Sequence, residues 1–387
     1  MSGRSVLMLV WTSVATDTRV LREAEALAKA GSRVHIIGRA VPESFRPPDG
    51  ITIGSAGRPP LSAGRTRRRT RPERVARWVL LSSHVARRMK EWQTAAEQLA
   101  LEWAHQHGVP DVVHAHDFSA LPPGHRLASQ WSVPLVYDTH EYWVGRPVEG
   151  LRDPLRQRRE RLLEGELGRD AAAVITVGEG VARALRQDHP CWPPITVVRN
   201  TFPSRAAPPS PAAAPGGLVY AGRLAAFREL EVVAQASLAL DLPITLVGPA
   251  DDSWLAGFDP GRAVVLPSEP LRAVDERLRR AGVALVTHSD RWPNHRLALP
   301  NKLFHAVSLG IPVIATDVGE LGAMVREHGL GTVYRPGDPD DMARAVHDLV
   351  TDYPMHQASV ARARPMLSWE QDSQALRRLY QGLADAD

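Results

Sequence analysis

The stretch from His295 to Leu321, HRLALPNKLFHAVSLGIPVIATDVGEL, constrains the possible folds more than any other part of this chain. Pro300 suits the first turn of a helix, where its missing N–H costs no hydrogen bond, and Gly310 suits the position just past the end. Val313, Ile314 and Ala315 form a short apolar run without polar alternation, as in a strand buried on both faces of a parallel sheet. Asp317, Val318 and Gly319 then turn the chain into a second helix. Two helix N-termini therefore aim free N–H groups at the carboxyl edge of a sheet, which favours an anionic ligand.

The same alternation runs through the rest of the chain. Strands are expected at Ser5–Val10, Val34–Gly38, Asp111–Ala115, Pro134–Tyr137, Ala172–Val177 and Ile195–Val198. Asp17 can cap a helix from Thr18 to Ala30, with Gly31 past its end. Residues 41–74 read as loop-rich, with no strand singled out, ending in the basic run GRTRRRTRPER. Residues 65–74 could rest on an anionic membrane, although a solvated loop is the favoured reading. Helices are expected from Pro72 to His107 and from Leu121 to Trp131. The Pro- and Ala-rich segment TFPSRAAPPSPAAAPGG then reads as a linker. Beyond it, strands are expected at Leu218–Ala221, Pro243–Val247, Ala263–Leu266, Val283–Val286, Val313–Ala315 and Thr332–Tyr334. Trp369, Leu376 and Tyr380 stand at helical spacing in the tail. Strands alternating with helices, twice, predict an α/β chain of two doubly wound Rossmann-like domains facing each other across a cleft. The expected division is 1–203, a linker at 204–216, 217–365, and a helix over 366–387 that packs back on the first domain.

Composition narrows the function classes. A formal charge of +4, from 47 basic and 43 acidic residues, is too mild to indicate nucleic-acid binding. Cys191 is the only cysteine, so no intrachain disulfide forms and a reducing cytoplasm is expected. The sequence has no leader pattern and no apolar run near the ~20 residues that span a bilayer. The loop after the first strand, WTSVAT, contains no glycine, so the dinucleotide fingerprint is absent, and no Walker-type lysine loop occurs. Lys29, Lys90 and Lys302 are the only lysines, which singles out Lys302 at the start of the central helix.

Three elements of the second domain are candidates for ligand contact. Arg223 and Arg228 flank a short loop after its first strand, where two guanidinium groups can neutralise a diphosphate. The others are the helix start at Pro300-Asn301-Lys302 and the loop Asp317–Leu321. In the first domain, Asp117 and Glu141 are candidate bases, each equally suited to capping a helix or orienting a neighbour. His114 and His116 are read as lying on opposite faces of one strand, so metal ligation by that pair is not expected, and no cluster has metal-ligand spacing.

GRLAAFRELE, LPNKLFHAVSLGIPVIATDVGEL and GTVYRPGDPDDMARAV resemble the retaining GT-B glycosyltransferases of the family 4 type, also called glycosyl transferases group 1. DTRVLREAEALAKAG, DVVHAHD, PLVYDTHEYW and VVRNTFP extend the resemblance over nearly the whole chain. It implies that Arg223 and Arg228 hold the donor diphosphate and that His140 lies near the donor sugar. Gly319, Glu320 and Leu321 would touch the diphosphate and sugar, with Asn301 and Lys302 at the helix start below the nucleotide. Asp17, His116, Asp117 and Glu141 are the acceptor-side candidates. His305 stands where the family has a ribose-binding glutamate, and Leu297 stands at its earlier glutamate.

The expected function is sugar transfer from a UDP- or GDP-sugar with retention, without cofactor or metal. The expected acceptor is a small secondary metabolite, as in natural product biosynthesis. A cell-envelope glycolipid or polysaccharide, a nucleotide-sugar epimerase or hydrolase, and a catalytically silent sugar-nucleotide-binding protein are the alternatives.

Overall fold

The computed structural model describes residues 3–57, 71–146, 153–204 and 214–385, apart from the side chains of 71–82, 384 and 385. The chain divides into two compact units, Met1–Val198 with Ser373–Asp387, and Arg199–Asp372. Most of the expected linker, at 205–213, and residues 65–70 of the basic run lie outside the described residues.

Unit 1 is built on seven parallel strands: β1 (Ser5–Val10), β2 (Arg33–Arg39), β3 (Ile51–Ala56), β4 (Val112–His116), β5 (Leu135–Thr139), β6 (Ala173–Thr176) and β7 (Ile195–Val197). Their order is β3-β2-β1-β4-β5-β6-β7. Every residue of β1, β4 and β5 is buried, because helices cover both faces of the sheet. These are α1 (Thr18–Lys29), α2 (Arg71–His107), α3 (Asp117–Trp131), α4 (Pro154–Arg169) and α5 (Glu179–Asp188). Asp17 caps α1 by accepting from the Val20 N–H at 3.3 Å.

Unit 2 repeats the plan with β8 (Gly217–Ala221), β9 (Ile244–Val247), β10 (Val264–Leu266), β11 (Gly282–Val286), β12 (Val313–Thr316) and β13 (Gly331–Tyr334). All are parallel, in the order β10-β9-β8-β11-β12-β13. The helices are α6 (Leu230–Ala236), α7 (Asp252–Leu255), α8 (Leu271–Ala281), α9 (Pro293–Leu297), α10 (Asn301–Ser308), α11 (Gly319–His328), α12 (Pro339–Thr351) and α13 (Tyr353–Ala363), while α14 (Trp369–Asp385) belongs from Ser373 onward to unit 1. Residues alternate across the sheet with period two. Val219 packs with Leu303, Phe304 and Val307 of α10, whereas Leu218 and Tyr220 pack with Met342 and Val346 of α12. Leu303, Phe304, Ala306 and Val307 are fully buried, and each large side chain among them contributes about 1.5–3 kcal/mol. That burial pins the N-terminus of α10 at the carboxyl edge of the sheet.

Four local expectations need correction. Residues 41–74 are not all loop: β3 pairs with β2 from Ile51 to Ala56. Its Gly54 and Ser55 hide the strand, but parallel pairing at a sheet edge tolerates them. Helix α3 starts at Asp117, not Leu121, and carries Pro122 and Pro123 inside it rather than in its first turn. Pro300 caps α10 from outside, at ψ 138°, with Asn301 as the first helical residue. The polar helix α4 escaped notice: it buries only Glu164 and Gly168, so it has no apolar stripe to detect.

Among the described residues, no helix is long and apolar enough to cross a membrane.

Candidate functional site

In each unit the strand order reverses beside the first strand, between β1 and β4 and between β8 and β11, and ligands of doubly wound sheets bind at the carboxyl ends there. Both positions are rich in charge.

In unit 2, the loop after β8 carries Arg223, and Tyr220 donates its hydroxyl to the Arg223 carbonyl at 3.0 Å. The Arg223 guanidinium is exposed and paired with Asp251 at 2.5 Å. Phe227 and Glu229 hold positive φ of 66° and 57° on either side of Arg228, a strained loop pinned by Thr287, which donates to the Arg228 carbonyl at 2.6 Å. Lys302, in the first turn of α10, places Nζ 4.9 Å from the Tyr220 ring centroid. Gly222 makes room for it, since a Cβ there would stand 2.4 Å from Lys302 Cε. Burial, then Arg228, pulls the Lys302 ammonium down to about 7. His288 follows β11, is buried, and has no hydrogen-bond partner on Nε2 among the described residues. Burial pushes it down to about 4, with His295, Arg228 and Lys302 adding to the effect. Arg228 and Lys302, close enough that the guanidinium weakens the hold of the ammonium on its proton, are complementary to a multiply charged anion.

Two helix N-termini complete this edge. Gly319 opens α11 at φ 43°, and a Cβ there would lie 1.9 Å from the Arg296 carbonyl oxygen, so only glycine permits the approach. Asn301 opens α10.

In unit 1 the charges are buried. Arg19 donates to both carboxylate oxygens of Asp138, at 2.9 and 2.7 Å, and to the Val198 carbonyl at 2.7 Å. It also lies 3.0 Å from Glu23. His116 Nδ1 and His140 Nε2 each lie 3.1 Å from Asp138 Oδ2. The other ring nitrogen of His140 is 3.3 Å from Asp117, whose carboxylate also accepts the His140 backbone N–H at 2.9 Å. Burial opposes charge on His140, but Asp117 and Asp138 outweigh it and hold the imidazolium up to about 10. Burial likewise opposes ionisation of Asp138, yet Arg19 and His140 keep its carboxyl well below the usual range. Burial raises Glu23 to about 8 despite Arg19.

Comparison with known proteins bears on both edges. Residues 15–201 match the family model described as glycosyl transferase 4-like domain, and residues 216–352 match glycosyl transferases group 1. The chain belongs to the GT-B glycosyltransferases. It is 26% identical over 280 residues to glycogen synthase of Mycobacterium tuberculosis, which covers 69% of this chain. The match spans 66% of that relative's length. Among solved structures, sucrose-phosphate synthase from Thermosynechococcus elongatus superposes with TM-score 0.69 at 16% identity, covering 99% of this chain and 100% of that one. A protein from Anabaena in complex with UDP gives TM-score 0.65 at 14% identity, covering 99% of each chain.

Within this GT-B glycosyltransferase, Arg223, Arg228, Asn301, Lys302, Gly319, Glu320 and Leu321 all belong to the carboxyl edge of the unit 2 sheet. His305 is turned elsewhere: its Nε2 lies 2.7 Å from Asp275 of α8 and its ring stacks on Phe202 at 4.9 Å. In unit 1, Asp17, His116, Asp117 and His140 come together, and the Thr139 hydroxyl donates to the Glu141 carbonyl at 2.7 Å, setting the turn that follows His140. His114 and His116 do not face opposite ways. Residues two apart on a strand share a face, and the two buried rings stack at 4.2 Å. As a result Glu23, His114, His116 and Asp138 bring one donor atom each within 4.8 Å of one another, a set that could hold a metal. Arg19 already sits against both carboxylates and supplies the countercharge there. Reading the sequence missed this network, which the spacing of HAH and DTH could have shown only with the strand period applied correctly. It also missed His288, for which the signal was a histidine directly after the buried strand at the switch point.

Proposed function

We propose that this chain transfers a sugar from a nucleotide-diphosphate sugar to an acceptor hydroxyl with retention of anomeric configuration, in the cytoplasm. The observation that carries the reading is the group of Arg223, Arg228 and Lys302 with two helix N-termini at the switch point of unit 2. As the anomeric C–O bond to the diphosphate breaks, negative charge grows on the leaving oxygens, and preorganised cations and N–H groups stabilise it without reorganisation. The sugar passes through an oxocarbenium-like state. The acceptor oxygen forms the new bond on the same face, and its proton passes to the departing diphosphate. Side chains and helix ends supply this positive charge, so no metal ion is required in the scheme. UDP is the favoured nucleotide, supported by the Anabaena neighbour's complex with UDP.

Unit 1 supplies the acceptor side. His140, held as an imidazolium, provides positive charge for the donor sugar's hydroxyls, and the partly exposed Asp117 is the carboxylate nearest the acceptor. The acceptor is a small metabolite.

Release of UDP from UDP-glucose and related donors, with and without an acceptor panel, tests the proposal. Arg228→Ala should lower turnover by about 100-fold, the scale of losing a preorganised group from the transition state, while circular dichroism stays unchanged. Unchanged turnover in that variant refutes the diphosphate assignment. Equal UDP release without any acceptor indicates a hydrolase, and nucleotide binding without turnover indicates a silent binding protein.

A further inference from the structure

His288 sits beside the cationic edge of unit 2, in a stretch laid against the loop that carries Arg228. On one side of it the Thr287 hydroxyl donates to the Arg228 carbonyl at 2.6 Å, and on the other the Ser289 N–H donates to the Phe227 carbonyl at 3.0 Å. Its own backbone N–H donates to the Thr316 hydroxyl, at the end of β12, at 3.2 Å. The ring is 3% exposed, and its Nδ1 lies 3.1 Å from the Ser289 carbonyl oxygen. A carbonyl oxygen only accepts, so Nδ1 carries the proton and Nε2 keeps a lone pair. That Nε2 is buried and has no hydrogen-bond partner among the described residues. His295 stands edge-on to the ring with 5.6 Å between centroids, and its Nδ1 reaches the same carbonyl at 2.9 Å. Burial holds His288 down to about 4 despite its bond to Ser289, helped by His295, Arg228 and Lys302, so the ring is neutral near pH 7.

We propose that His288 Nε2 accepts a hydrogen bond from a hydroxyl of the nucleotide sugar held at Arg228 and Lys302. This rests on the glycosyltransferase reading above, and it adds a neutral contact to the charged ones. A buried acceptor without a donor is costly, and a donor that arrives with the ligand removes that cost. The diphosphate cannot be that donor, because its ionised oxygens offer lone pairs only. The two groups bonded directly to the diphosphate are the ribose and the transferred sugar, and the hydroxyls of both can donate. Turning the ring to offer Nδ1 instead would break the bond to Ser289, so one tautomer is held ready. Two other side chains expected at the nucleotide do not supply this acceptor: His305 is engaged with Asp275 at 2.7 Å, and Leu297 has no polar atom. The carboxyl end of β11, beside the switch point, is where a doubly wound domain takes ligands.

Titration calorimetry on the full chain tests this with UDP and GDP, their dideoxyribose forms, UDP-glucose and GDP-mannose, in whichever series the native chain binds. His288→Asn keeps a donor for the Ser289 carbonyl and removes the acceptor at Nε2. The expected result is about tenfold weaker binding of the nucleotide sugar. The dideoxyribose diphosphate should bind as it does to the native chain, which also reports that the variant folds. His288→Gln, whose amide oxygen reaches about as far as Nε2, should recover part of the loss. Should His288→Asn not fold, His288→Phe takes its place, since His295 still reaches the Ser289 carbonyl at 2.9 Å. Weakening of the nucleotide diphosphate and the nucleotide sugar alike assigns a ribose hydroxyl, and weakening of the nucleotide sugar alone assigns the transferred sugar. Equal weakening of the dideoxyribose form overturns the proposal, because a role in packing alone gives that result. Unchanged binding of every ligand by the variant also overturns it and leaves the glycosyltransferase reading standing. A native chain that binds no nucleotide diphosphate refutes that reading, and the His288 contact with it.

Discussion

Replacing Asp138 by asparagine tests whether the buried charges of unit 1 hold it together. Asp138 is fully buried and takes two hydrogen bonds from Arg19, with His116 and His140 each 3.1 Å away. Asparagine keeps the shape but removes the charge, leaving a 5% exposed guanidinium with Glu23 as its nearest counterion. Breaking one side of a buried pair costs about 3–5 kcal/mol. With a urea dependence of about 1–3 kcal/mol per molar, the unit 1 transition should fall by roughly 1–3 M. A chain of two units need not unfold in one step, so the assay is hydrogen exchange in urea. Peptides from β4 and β5 report unit 1, and peptides from β11 and β12 report unit 2. The double variant Arg19→Met/Asp138→Leu should recover much of the loss, because replacing both charges removes their desolvation cost as well. A loss below about 1 kcal/mol for Asp138→Asn refutes the reasoning, and so does a double variant whose loss is the sum of the singles.

Two further predictions concern unit 2. Lys302 sits at about 7 in the free protein, and a bound diphosphate favours its protonated form, so UDP affinity should be greatest below pH 7 and decline as pH rises above it; calorimetry from pH 6 to 9 should show that slope in the native chain and lose it in Lys302→Met. His305→Glu would set a carboxylate against Asp275 in a buried position 2.7 Å from the present ring nitrogen, so it should destabilise unit 2 by about 2–3 kcal/mol in urea unfolding, whereas a gain in stability would refute the packing role given to His305.

The contrast between His305 and Lys302 shows how far a local reading reaches. Both lie on α10, three residues apart, and both come from a stretch whose helix, strand and turn were readable from Pro300, Gly310 and the apolar run between Val313 and Ala315. Lys302 reaches the expected edge because Gly222, having no side chain, leaves room for it beside the Tyr220 ring. One turn later, direction depends on what packs against the helix, and Asp275 and Phe202 come from elements 30 and 103 residues away. No periodicity in the helix itself encodes those partners.

The unit 1 network makes the same point. Arg19 lies 119 residues from Asp138, and His116, Asp138 and His140 come from neighbouring strand ends paired in parallel register. Each was individually visible as a polar residue at the end of an apolar run. Their convergence on one carboxylate was not, because it follows from strand order, and strand order is a long-range property. By itself, then, the sequence determined the two-fold repetition of buried strands and covering helices, since periodicity and caps are local consequences of side-chain shape and backbone hydrogen bonding. Which polar groups meet, which are buried, and how strongly each holds its proton were decided only by the tertiary structure. Electrostatic energies depend on distances and desolvation, and the fold alone sets both.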